Sequence, residues 1–402
     1  MNPHIHDVVV IGAGPVGLAA ALSLAAVGVD VVITAPGHDG VADPRSTALL
    51  PTSVALFDNL GVWSLCATQS APLLGIRIID DRKHLLRAPE VLFKAGELGL
   101  PSFGANVANS VLIGALSAAV RGQPRILWHR TAAVREVTPC DDRVRLLLAE
   151  GDMLLSRLVV GADGARSLAR QRASIGARRW DYPQLAIAGT VRHSRAQDGI
   201  TSELHRRSGP LTLVPLTREE ASFVWVVEPD EARRLADLDE AGFLAELSSL
   251  LKGLLGALLA VGARSAFALG GLSAERMGKH RVALVGEAAH VIPPIGAQGL
   301  NLGLRDAAAL ADCVAHARAL RQDIGGATTL DAYSRARGGD VASRTFLVDL
   351  FNRSLLSDVL PIAAARSICL QLLANIPAAR RLAMNAGLWS VGPLPRLMRS
   401  QA

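Results

Sequence analysis

Cysteine, aromatic residues and lysine are all scarce in this chain, and each shortage excludes a class of protein. Four cysteines in 402 residues, at positions 66, 140, 313 and 369, form no C-x-x-C pair and no Cys/His cluster. That pattern excludes a zinc module and a secreted disulfide framework, and predicts reduced core thiols and no metal site. Aromatics make up 4% of the chain, too few for a platform that stacks single-stranded nucleic acid. Lysine occurs only at positions 83, 94, 252 and 279, so arginine supplies almost all of the positive charge. The longest apolar stretches, such as Ser110–Val120 and Leu254–Ala263, are too short to span a bilayer. Strand-like sequence begins at Asp7, so no signal peptide is expected. A cytoplasmic protein, peripheral to a membrane at most, is the expectation.

What the chain does have is a hydrophobic content of 50% and a net charge of +6. At about 150 residues per domain, 402 residues make two or three packed domains. Most of the charge sits at one end. From Arg353 to Ala402 there are six arginines against the single acid Asp358, which is +5 of the +6. A nucleic-acid binder carries a basic groove across its body, so no nucleic-acid partner is expected. A basic, leucine-rich tail suits a membrane surface or an acidic partner complex, or else a solvated helix face.

Residues 7–11 (DVVVI) read as a strand buried on both faces, followed by a glycine turn and an alanine-rich helix from Val16 to Val27. Val29–Thr34 reads as the next strand, completing a βαβ unit. Short strands are expected at 73–80 and 84–87, and a helix at 106–121. Strands recur from 125 to 160, and an antiparallel set is expected at 185–194, 201–206, 211–216 and 222–228. Helix is expected over 231–260, a strand at 281–286, a helix from about 300 to 319, and helices from there to about 390. No repeat or low-complexity linker separates these parts, so the domains are expected to interleave.

Gly12-Ala13-Gly14-Pro15-Val16-Gly17 is a G-x-G-x-x-G between strand and helix. Gly12 permits the tight turn, Gly14 lets the backbone approach a pyrophosphate, and Gly17 lets the helix pack on the strand. The free N–H groups of the helix start then face the phosphates. An acid that would bind the adenosine ribose, expected about 20 residues on, is missing. Its place falls at Ala35, with Thr34 as a weaker candidate and Asp30 too early.

Two later segments narrow the choice of dinucleotide. Val159-Val160-Gly161-Ala162-Asp163-Gly164 is an apolar strand ending in G-A-D-G, followed by Arg166 and Arg170. Gly286-Glu287-Ala288-Ala289-His290 runs on to Pro293-Pro294-Ile295-Gly296-Ala297-Gln298-Gly299-Leu300-Asn301. With the glycine turn, these segments resemble the three fingerprints of class A flavoprotein monooxygenases, the family of p-hydroxybenzoate hydroxylase. Asp43-Pro44-Arg45-Ser46-Thr47-Ala48-Leu49, Leu60-Gly61-Val62-Trp63, Gly209–Leu216 and Val348–Arg353 are similar to stretches of its ubiquinone-biosynthesis hydroxylases.

The resemblance implies an α/β, p-hydroxybenzoate-hydroxylase-like fold. A Rossmann-type FAD domain (1–72, 100–180 and 270–343) would interleave with an antiparallel substrate domain (73–99 and 181–269), before a helical region at 344–402. It implies cofactor contacts at Gly12, Gly14, Gly17, Arg45, Asn109, Asp163, Glu287, Gly299, Leu300 and Asn301. Glu287 stands where the family carries aspartate, one methylene shorter. Pro293 and Pro294 would line the substrate side of the flavin, with His290 a structural neighbour. His205, where the quinone hydroxylases often carry phenylalanine, is a candidate catalytic residue. The implied reaction is hydroxylation of a polyprenyl phenol by O2 through a flavin C4a-hydroperoxide, with NAD(P)H reducing FAD. A soluble aromatic substrate and a non-catalytic flavoprotein scaffold are the alternatives.

Overall fold

The computed structural model describes residues 4–37, 43–82, 89–356 and 360–400. Ile5–Ile11 lies near the centre of an eight-stranded sheet, parallel to Val31–Ala35 on one side and Met153–Gly161 on the other. Ile126–Arg130 extends the sheet beyond the second strand, and Val282–Leu284 beyond Met153–Gly161. Val8, Val9 and Val10 are fully buried, as a strand covered on both faces must be. The alanine-rich helix Pro15–Ala26 packs against helices Asn109–Arg121 and Gln298–Ala319. Its small side chains let these elements approach the sheet closely.

A second, nine-stranded sheet is antiparallel except where Ile200–His205 runs parallel to Gly75–Asp80. Its long strand Ala177–His193 pairs with Ser265–Ala274 on one edge and Glu220–Val227 on the other. Strand alternation gives this sheet two distinct faces. Leu204, Leu211, Leu213, Phe223 and Trp225 form the outer face, under helices Pro229–Asp237 and Glu240–Leu251. By register, Glu203, His205, Thr212, Val214, Ser222 and Val224 lie on the inner face.

A three-stranded sheet of Ser46–Leu49, Ser70–Pro72 and Ala105–Ala108 joins the two halves. Ser46 Oγ donates to Ser222 Oγ at 2.6 Å, and Asn106 Nδ2 donates to the Pro215 carbonyl at 2.8 Å. Helices Ala327–Leu356, Leu360–Asn375 and Pro377–Leu388 complete the chain.

Three local expectations change. Residues 231–260 are not one helical stretch: the second helix ends at Leu251, and Leu258–Val261 is an edge strand paired with Val191–His193. The helix expected from residue 106 starts at Asn109, because Ala105–Ala108 is a strand. Cys369 is exposed rather than a core thiol. The strand expected at 84–87 lies outside the described residues. Among the described residues, no helix is long and apolar enough to cross a membrane.

Candidate functional site

The glycine turn divides its work between closed and open positions. Gly12 has φ +108°, and a Cβ there would sit 2.4 Å from the Ala162 carbonyl oxygen. At Gly17 a Cβ would fall 2.2 Å from the Gly12 oxygen. Gly14, which caps the helix, faces open space instead. Two glycines therefore bring two strand ends and the helix together, and the third leaves room for a ligand at the free N–H groups.

Beside this turn, Arg45 donates from Nε and Nη2 to the two oxygens of Asp43, both at 2.8 Å. Asn109 Nδ2 donates to the same carboxylate at 2.9 Å, while Asn109 Oδ1 accepts from Thr47 at 2.6 Å. Burial opposes ionisation of Asp43, but the bonds from Arg45 and Asn109 outweigh it and bring its pKa down to about 2. The Asp43 hydrogen bonds raise the Arg45 guanidinium above its ordinary value, and the field of Glu287 adds to this. Arg45 and Glu287, from distant motifs, thus share one electrostatic neighbourhood. Asp43 bridges Arg45 and Asn109, the second of them 66 residues away in sequence, through packing alone.

Asp163 accepts from the Ala169 N–H through Oδ2 at 3.1 Å. Its buried Oδ1 has no hydrogen-bond partner among the described residues. A buried acceptor in that state calls for a donor from outside the chain, as a sugar or ribityl hydroxyl supplies. Arg170, 2% exposed, donates to the Ala165 carbonyl at 2.8 Å and the Ala288 carbonyl at 2.6 Å, tying the second motif to the third.

In the third motif Gly286 takes φ +59°, and Glu287 is exposed on a single 3-10 turn. His290 is 2% exposed and meets Asp306 at 2.6 Å, a structural position. Pro293 is buried and Pro294 half-buried. Gly296 and Ala297 both have left-handed backbones, at φ +62° and +53°, which turn the chain abruptly into helix Gln298–Ala319. Gly299 in its first turn faces open space. The Asn301 side chain is committed inward: Nδ2 donates to the Ala48 and Ala297 carbonyls, and Oδ1 accepts from the Leu50 N–H. Only its backbone is left to face a ligand.

Thr34 does not fill the place of the missing acid. It is 1% exposed, and its hydroxyl donates to the Val10 carbonyl at 3.2 Å. Ala35 ends the strand with no polar group, and Asp30 is paired at the surface with Arg125 at 2.8 Å.

His205 lies on the inner face of the second sheet, 1% exposed. Its Nε2 meets Glu203 Oε1 at 2.8 Å, and Phe351 packs edge-on with ring centroids 5.5 Å apart. Both tyrosines are engaged elsewhere. Tyr182 donates to Asp349, and burial together with that carboxylate pushes its pKa up to about 12. Tyr333 donates to the Leu284 carbonyl at 2.8 Å. The inner face is mixed, with Thr212 and Ser222 beside Val214 and Val224. One continuous cluster joins Ala48 and Leu50, beside the Arg45 strand, to Ile76, Ile78 and Val214 on the sheet and to Leu370, Met384 and Leu388 on the last helices.

Open amides at the helix start, an unpartnered acceptor on Asp163 and the neighbouring charges of Arg45 and Glu287 fit an FAD. They define a dinucleotide-binding flavoprotein, with a packed apolar cluster between its second sheet and its last helices. The comparisons agree. Residues 6–345 match the model of the FAD binding domain. Ubiquinone hydroxylase UbiL of Rhodospirillum rubrum is 34% identical, over 98% of this chain and 93% of its own. The 3-demethoxyubiquinol 3-hydroxylase of Escherichia coli is 31% identical, over 95% of this chain and 98% of its own. The crystal structure of p-nitrophenol 4-monooxygenase PnpA from Pseudomonas putida superposes with a TM-score of 0.78, at 22% identity, over 96% of this chain and 98% of that one. The chain belongs to the FAD binding domain family, among its flavin-dependent aromatic monooxygenases.

Proposed function

We propose that this chain hydroxylates the aromatic ring of a polyprenyl phenol in ubiquinone biosynthesis, with FAD as cofactor and NAD(P)H and O2 as co-substrates. FAD, when bound, supplies the redox chemistry and the activation of oxygen. The chain's own part is to hold the cofactor through Gly12, Gly14, Gly17, Arg45, Asn109, Asp163, Glu287 and the backbone of Gly299, Leu300 and Asn301. Pro293 and Pro294 face the substrate side. The apolar cluster from Ala48 and Leu50 to Leu370 and Met384 is the observation that carries the substrate class. An apolar enclosure favours a lipophilic ring over a small carboxylate and keeps water away from the reacting atoms. Two near-full-length relatives named for ubiquinone chemistry support the same reading.

His205 is assigned the phenol proton. Glu203 occupies its Nε2, and Nδ1 has no hydrogen-bond partner among the described residues. That arrangement leaves Nδ1 available as an acceptor.

The C-terminal helices are assigned to the membrane or to a biosynthetic complex. Phe346, Leu347, Leu350, Ile368, Leu372, Ile376 and Leu382 are all exposed there, with Arg353 and Arg381 exposed among them. Arg380 is not part of that surface, because it donates to Glu97 at 2.7 Å and to two backbone carbonyls. Co-sedimentation with anionic liposomes is expected to fall in Leu372→Ser and Leu382→Ser; unchanged sedimentation removes the membrane assignment.

The function is tested by a mass-spectrometric quinone profile of a strain lacking the gene. A stalled polyprenyl intermediate short of one hydroxyl is expected. Unchanged ubiquinone rejects the reading and directs the search to soluble phenols.

A further inference from the structure

The loop that carries Glu287 is gripped at both ends by buried charge. On its N-terminal side the Gly286 N–H donates to Asp306 Oδ2 at 3.0 Å, and four residues on the His290 ring meets the same oxygen at 2.6 Å. On its C-terminal side the Ala288 carbonyl accepts from Arg170. Asp306 is completely buried on helix Gln298–Ala319, and its second oxygen accepts from Arg337 Nε at 2.7 Å. Burial opposes its charge, but His290 and Arg337 hold its carboxyl below the usual carboxylate range. Behind it, Asp340 accepts from Arg337 at 2.9 Å and from Arg305 at 2.8 Å, yet it bonds to no residue of the loop. Two carboxylates of one buried cluster therefore stand in different relations to the cofactor loop.

We propose that Asp306 is a positioning residue for the cofactor: it fixes the 286–290 loop so that the longer Glu287 side chain reaches the flavin side of FAD. The inference rests on the reading of Glu287 as a cofactor contact. Glutamate has one more rotatable bond than aspartate, so its carboxylate is placed only if the backbone beneath it does not move. Gly286 serves the same end. Its left-handed backbone and the close approach of Val16 and Gly303 leave the loop one path between two helices. Anchoring through a charged acceptor holds the Gly286 N–H more firmly than a neutral one would.

Asp306→Asn and Asp340→Asn separate positioning from simple support. Both break the buried cluster and are expected to lower the melting temperature of the apoprotein. Only Asp306→Asn is expected to weaken FAD binding by about tenfold, read by quenching of flavin fluorescence, and to shift the midpoint potential of the bound flavin. In the Asp306→Asn background, Glu287→Gln is expected to cost little further affinity, because the side chain is already misplaced. Equal losses in the two aspartate variants, or full additivity with Glu287→Gln, overturn the proposal. Should Asp306→Asn fail to fold, Arg170→Lys tests the same loop from its other end. One amine cannot hold both the Ala165 and Ala288 carbonyls, and undiminished FAD affinity there overturns the proposal equally. Glu287→Gln with native affinity in the otherwise unchanged protein is a different failure: it removes Glu287 from the cofactor, and the proposal with it. None of these readouts involves the hydroxylation substrate.

Discussion

Around Glu287 the backbone is held by charges taken entirely out of water: Asp306, Arg170, Arg337 and, behind them, Asp340 and Arg305. Between the second sheet and the last helices, Val214, Ile76, Leu370 and Met384 belong to one apolar cluster. The two sides solve different problems. A cofactor is bound once, in one pose, and directional bonds in a dry environment set positions to within tenths of an ångström. Under the proposed function a lipophilic substrate enters and leaves, and apolar surfaces slide and repack without leaving unpaired groups. The difference teaches that polar anchoring on the cofactor side is brittle, while the substrate side yields gradually.

The sharpest way to break that contrast is Asp340→Ala. It strands the buried guanidinium of Arg305, 1% exposed, and takes from Arg337, 3% exposed, one of its two carboxylate partners. A loss of about 3–5 kcal/mol is expected in urea unfolding of the apoprotein. A loss below about 1 kcal/mol would mean that the cluster contributes no more than a surface pair.

On the apolar side, Leu370→Ala removes a side chain 5% exposed against the inner face. About 2–3 kcal/mol is expected from such a truncation. FAD affinity, measured in parallel, should be unchanged, because no charged anchor is touched. Reduced FAD affinity would erase the separation between the two sides.

Asp43 gives a smaller effect with a pH signature. Its pKa is lowered from 3.8 to about 2 in the folded protein. The carboxylate therefore adds stability that is fully present above about pH 4 and is lost as the pH falls through 2. Asp43→Asn should lower apoprotein stability at neutral pH, on the order of 1 kcal/mol at this partly exposed site. The deficit should close between pH 4 and pH 2. A deficit constant over that range would show that Asp43 acts through shape and not charge.

Much of the cofactor side could be read before any coordinates. A glycine is required where a Cβ would strike a carbonyl at 2.4 Å or 2.2 Å, and the Gly12 and Gly17 positions announce it. The anchors could not be read in the same way. Asp306 lies 20 residues from Gly286, and Arg337 31 residues from Asp306, on separate helices. Their partnership is created by packing. A charge amid Leu302, Leu304, Ala307 and Ala308 was the one available signal, since an unpaired aspartate does not survive on an apolar face. The overrun of helix past Leu251 has a similar origin. Gly253, Gly256 and Gly262 bound the short run Leu258–Val261, which becomes a strand by pairing with the edge at Val191–His193.

Thr34 marks the smallest effect and the limit of arguing from position along the strand. Counting from the glycines brings it beside the adenosine ribose, yet strand alternation turns its side chain into the sheet. There its hydroxyl satisfies the Val10 carbonyl. Thr34→Val keeps the branched shape and forfeits one neutral hydrogen bond, so stability should drop by about 1 kcal/mol or less. FAD affinity should stay where it is. If affinity falls instead, the second strand must rotate on cofactor binding, and the cofactor side would share the adaptability assigned here to the substrate side. If it does not, adenosine is held without a side chain from the end of that strand. The burden on Arg45, Asp163 and the loop of Glu287 is correspondingly greater, and that loop is the one the buried Asp306 and Arg170 hold.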